Sequence, residues 1–163
     1  MDAVHLHLLT NHIPVVGAFF GSIVLAFGLA RKSPPTLAAG FTIFVLSALI
    51  GLAAYFSGEG AEEAVEHLPG VSHKIIEAHE EVALFALIAF ILLGLLSIFG
   101  LIRSRTHFDK IKGLALLILM LAIGSLGIGF YTALTGGEIR HTELRSVIQP
   151  ANTDSTDKGE PAE

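Results

Sequence analysis

This sequence predicts an all-α integral membrane protein, built as an up-down-up-down four-helix transmembrane bundle. Three observations predict it. Hydrophobic residues make up 52% of the chain against 15% charged, with a mean hydropathy of +0.68, which is too apolar for a soluble domain of 163 residues. Four uncharged segments, residues 13–30, 36–57, 82–102 and 113–135, each approach or exceed the roughly 20 residues that a helix needs to cross about 30 Å of hydrocarbon. They are apolar on every side rather than alternating, so helices fit and barrel strands do not. Between the second and third runs lies the one long polar interval, Ser57 to Val82, with seven glutamates, three histidines and one lysine. An even number of crossings brings both ends of the bundle domain to the side of this interval. His7, His12, Glu138 and His141 therefore gather beside it.

The cations set an expected orientation. Arg31 and Lys32 occupy one short loop and Arg103, Arg105, Lys110 and Lys112 the other, whereas the long polar interval has only Lys74. The positive-inside rule makes the basic loops cytoplasmic. Both termini and the glutamate-rich interval then face outward from a bacterial inner membrane. The first apolar run has no basic lead, so no cleavable signal peptide is expected. There is no cysteine, which excludes disulfides, iron–sulfur clusters, thiolate metal sites and covalently attached c-type haem.

In chain order, Pro14 suits the first turn of a helix, where the N–H groups are unpaired, so the first span begins after an Asn11 cap or follows a helix from Asp2 kinked at Pro14. The choice matters, because positions 7 and 12 lie about 140° apart on a straight helix. Pro34 and Pro35 stop the first span in a tight turn. Tyr55 and Phe56 mark the interface where the second span ends. Ala61 to His67 suits a short surface helix, Leu68-Pro69-Gly70 a turn, and Ser72 the cap of a third helix reaching Ile102. On that helix Ile75, Ile76, His79, Val82, Ala83 and Ala86 share one stripe, while Lys74, Glu77 and Glu81 point elsewhere, so His79 is on the packing face. The four-helix domain is expected over residues 1–149. The tail 150–163 has no apolar residue larger than alanine and proline and is expected to be disordered.

A weak internal repeat relates the halves. His12 opens the first span as His79 opens the third, and Tyr55 with Gly58-Glu59 closes the second as Tyr131 with Gly137-Glu138 closes the fourth. Two helical hairpins about a pseudo-two-fold axis along the membrane normal would explain it.

Imidazole is uncharged, tolerable at a bilayer edge and a strong ligand for iron, copper or zinc. His12, His79 and His141, near carboxylates at one end of three spans, are therefore candidate metal ligands together with Glu138. The plainer reading is a set of hydrogen-bonded interfacial histidines, with Glu77, Glu80 and Glu81 favoured at a helix start by its dipole. His5, His67, His73 and His107 read as solvated surface. Gly17 and Gly21 form a G-x-x-x-G pattern, which suits close helix packing and would equally leave room for a flat porphyrin. Glu138-Ile139-Arg140-His141 has the E-x-x-H spacing of di-iron bundles, but its only counterpart is Glu63-Ala64-Val65-Glu66-His67.

His7-Leu8-Leu9-Thr10-Asn11-His12-Ile13-Pro14 resembles the opening H-P-x-x-x-H-F-P pattern of a widespread family of small four-helix bacterial membrane proteins. Thr135-Gly136-Gly137-Glu138-Ile139-Arg140-His141 is similar to that family's closing G-G-E-L and R-H motifs, and His79 matches the histidine opening its third helix. Leu8 stands where the family has proline, and the central loop is more acidic. Haem binding has been suggested for the family, so the resemblance implies His7, His12, His79 and His141 as haem ligands. Three functions follow as expectations. The first is a b-type cytochrome-like electron carrier holding haem b, with His12 and His79 as an axial pair. The second is a non-haem iron, copper or zinc protein using the same histidines with Glu138 or a loop glutamate. The third is a cofactor-free accessory subunit. Expected partners are the lipid bilayer, a membrane redox partner and a second copy of the chain, with no nucleic acid.

Overall fold

The computed structural model describes residues 2–104 and 107–141. Arg105 and the tail expected from Pro150 lie outside the described residues. The helices are α1 (Ala3–Thr10), α2 (Ile13–Ala30), α3 (Pro34–Phe56), α4 (Gly58–Glu63), α5 (His73–Arg103) and α6 (Phe108–Arg140). Four helical spans are long and apolar enough to cross a membrane: α1 continued by α2, then α3, α5 and α6. Helix α2 packs on α3, α3 on α5, α5 on α6, and α6 returns to α2. Each span thus neighbours the next in sequence, and the ring closes. The protein is an all-helical, four-helix membrane bundle.

Phe41, Phe44, Leu25, Leu37, Leu93, Ile111 and Ile118 are fully enclosed and form the centre of the bundle. Phe19, Phe20, Phe27, Leu92, Phe99 and Met120 point away from it, as side chains facing lipid tails do. A Cβ on Gly17 would overlap Ser47, and one on Gly21 would come within 2.5 Å of Phe44. The G-x-x-x-G face is therefore occupied by α3, leaving no slot for a porphyrin there.

The first span takes the kinked course. Asp2 caps α1 by accepting from the His5 N–H at 2.9 Å, and the helix is interrupted at Asn11 and His12. Pro14 lacks the N–H that would bond the Thr10 carbonyl, so the ladder breaks one turn before it. Asn11 consequently ends α1, and His12 holds the N-cap position of α2 with no side-chain bond. At the first basic loop, Pro34 and Pro35 open α3 instead of closing α2, because first-turn residues need no N–H partner. Lys32 makes the reversal with φ 50°, and Ser33 caps α3 at the Thr36 N–H, 3.4 Å away.

The short helix of the polar interval spans Gly58–Glu63 rather than Ala61 to His67. It follows α3 directly through Ser57, whose hydroxyl donates to the Ala54 carbonyl at 2.9 Å. The turn at Leu68 to Gly70 is present, with Gly70 at φ 82°, a backbone angle that suits glycine. Helix α5 starts immediately afterwards, well before its apolar run opens at Val82, and its inward stripe is as expected: Ile76 and Ala86 are buried and His79 half-buried, while Lys74, Glu77 and Glu81 are exposed.

Candidate functional site

At the polar end of the bundle, two histidines from different hairpins are held in the same manner. His7, half-buried on α1, places Nδ1 2.9 Å from the carbonyl oxygen of Ala54 on α3. A carbonyl only accepts, so Nδ1 carries the proton of the neutral ring and Nε2 keeps its lone pair. His79 on α5 places Nδ1 3.1 Å from the Thr135 hydroxyl on α6. That hydroxyl donates its single proton to the Thr132 carbonyl at 3.0 Å, so it accepts from His79, and again Nε2 keeps the lone pair.

Each ring also lies over a glycine of the helix region it bonds. A Cβ on Gly58 would stand 3.7 Å from Cε1 of His7, and one on Gly136 would stand 2.9 Å from Cε1 of His79. Gly58 follows Ala54, and Gly136 follows Thr132, by one helical turn. The two seats are alike in kind, but they pair His7 with His79 and Gly58 with Gly136, not the His12 and Gly137 of the expected repeat.

The other candidates lie apart from these seats. His12 is exposed at the α1–α2 junction, and among the described residues its side chain makes no hydrogen bond or ion pair. Glu138 is buried, 6% exposed, on the same face of α6 as Thr135. His141 is exposed beyond the helix end, with φ −99° and ψ 86°, so the E-x-x-H residues do not project from one inward turn.

A second group was hidden from the sequence reading. Donor atoms of Glu62, Glu66 and His73 all lie within 4.8 Å of one another. His67 and His73 are exposed, as expected of surface residues, yet both rings approach Glu66: Nε2 of His67 lies 3.2 Å from Oε1, and Nε2 of His73 lies 3.9 Å from Oε2. The signal was the helical spacing of Glu62 and Glu66, followed by a glycine turn that returns the chain. A hydrogen bond with Glu80 holds the Glu62 carboxyl above its ordinary value, reinforced by partial burial.

No protein-family model, no curated protein and no solved structure matches this chain. The class of protein is accordingly defined by the fold: a multi-pass, four-helix membrane protein with a histidine and glutamate end.

Proposed function

We propose that this membrane protein holds haem b between His7 and His79 and carries electrons at the polar end of the bundle. The observation supporting it is the pair of Nδ1–H anchors, which orient both imidazoles and leave both Nε2 atoms basic. This is the arrangement by which outer hydrogen bonds prepare histidine for a metal. His7 replaces His12 as the partner of His79, because His12 is exposed and unanchored. The similarity of the opening and closing motifs to a family suggested to bind haem supports the choice of cofactor. When bound, haem would supply one-electron ferric–ferrous chemistry. The Ala54 carbonyl and the Thr135 hydroxyl fix the rings.

A second reading is a non-haem iron, copper or zinc site on the same two rings, which the buried carboxylate of Glu138 favours by offering an anionic donor on the face of α6 that bears Thr135. Purified protein distinguishes the readings by its reduced-minus-oxidised spectrum and metal content. Haem absorption abolished by His79→Ala and retained in His107→Ala supports the first. Stoichiometric metal without haem, released by His79→Ala or Glu138→Ala, supports the second. Neither cofactor under any expression condition would leave the accessory-subunit function.

The polar end is proposed to face outward from the bacterial inner membrane, on the strength of the basic loops at the opposite end. Cysteines placed at Ser72 and Ser104 should react with an impermeant reagent from opposite sides. Labelling of Ser104 alone in intact cells would reverse the orientation.

A further inference from the structure

We propose that Glu62, Glu66 and His73 form a divalent cation site, separate from the His7 and His79 seats, that clips the polar loop to the start of α5. The geometry of the loop is the basis. Glu66 N–H donates to the Glu62 carbonyl at 2.9 Å, so the two residues stand one helical turn apart with their carboxylates on one side. The positive φ of Gly70 reverses the chain, and His73, the first residue of α5, comes back beside Glu66. Nε2 of His73 and the two carboxylates fall within a 4.8 Å set. Donors bound to one zinc ion at about 2.0–2.2 Å lie about 3–4 Å apart. Binding therefore requires these half-buried and exposed side chains to draw in by about 1–2 Å.

The chemistry of the set selects the cation. Two carboxylates and one imidazole provide hard and borderline donors with no thiolate, which suits zinc, manganese or ferrous iron and disfavours copper(I). Between Ser57 and Val82 there are seven glutamates and one lysine, Lys74, and the ring of His67, 3.2 Å from Glu66 Oε1, is the partner that a bound cation would displace. A divalent ion would relieve the crowding of these like charges while joining the segment after α4 to α5.

Zinc is the probe for the test, added to the full chain in detergent after removal of bound metal by chelation and dialysis. Calorimetric titration of the wild type should show a binding step that Glu66→Gln and His73→Ala each weaken at least tenfold. His79→Ala should retain that step, which separates this site from the haem or metal seat proposed above. Cobalt substitution provides a second reading: a visible ligand-field band present in the wild type and in His79→Ala, and lost in His73→Ala. Circular dichroism verifies that each variant keeps its helices, and Glu62→Gln replaces any that does not. Zinc affinity unchanged in Glu66→Gln and His73→Ala, or a step abolished by His79→Ala alone, would overturn the proposal. Loss of haem from His79→Ala with the zinc step intact would leave both sites standing independently.

Discussion

The two hairpins of this bundle seat a histidine in the same way but build the seat from different material. In the first, His7 bonds a backbone carbonyl, and Gly17, Gly21 and Gly28 of α2 are all filled by α3. In the second, His79 bonds a side-chain hydroxyl, and Gly113, Gly124 and Gly127 of α6 meet nothing within 4 Å. A backbone acceptor survives most substitutions, whereas a hydroxyl is removed by one. The first hairpin is therefore insensitive at its histidine and the second sensitive there, while the glycines of α6 divide between an open outer face and the filled positions Gly129 and Gly136.

Glycine substitutions give the largest expected contrast. Gly21→Leu must displace Phe44 from the core and should cost about 2–3 kcal/mol, seen as a lower unfolding midpoint in detergent. Gly127→Leu projects into open space and should change stability by less than about 0.5 kcal/mol. Equal losses would show that α6 has a partner at Gly127. At the histidines the contrast inverts. Thr135→Val takes the hydroxyl acceptor from the half-buried Nδ1–H of His79, leaving the Thr132 backbone as its remaining partner, and should cost about 1 kcal/mol, while Thr135→Ser restores the bond. Nitrogen NMR of the ring should show the Nδ1–H form in the wild type and Thr135→Ser and a mixed tautomer in Thr135→Val. An unchanged tautomer in Thr135→Val would mean that another acceptor sets it.

A smaller effect separates the two glycine seats. Gly136→Ala brings a methyl to 2.9 Å from His79 and should weaken cofactor retention about tenfold, whereas Gly58→Ala stands at ordinary contact, 3.7 Å from His7, and should leave it unchanged. Smallest is the α1 cap. The His5 backbone N–H, followed by its ring, lowers the Asp2 carboxyl from its ordinary 3.8. A depressed carboxylate contributes stability above its unfolded value that disappears as pH falls through the folded one. Hydrogen exchange in α1 should therefore quicken only below the ordinary carboxylate range, and Asp2→Ala should show the same fraying at neutral pH. Acid-insensitive exchange would remove the cap from the account.

The membrane bundle, the inward stripe of α5 and the turn at Gly70 were legible because each follows from local periodicity or from one residue's backbone preference. The choice of histidine was not. His7 and His12 flank a proline kink, and which of them faces the bundle depends on how far the broken ladder redirects α1, a tertiary outcome that spacing leaves open. The E-x-x-H motif, incomplete in the sequence for want of a second copy, is not closed in the fold either: α6 ends at Arg140, one residue before the motif completes its turn. The carboxylate and histidine group at Glu62, Glu66 and His73 was hidden by its position, since loop residues of that kind are usually solvated and only the chain reversal brings them together.

The central claim is that His7 and His79, one from each hairpin, serve a single cofactor. The most direct measurement is the absorption spectrum and cofactor content of His7→Ala, His79→Ala and His12→Ala, purified in parallel. The account predicts that the first two variants lose the cofactor signal together and that His12→Ala keeps it. A full signal in His7→Ala, with loss in His12→Ala, would contradict it.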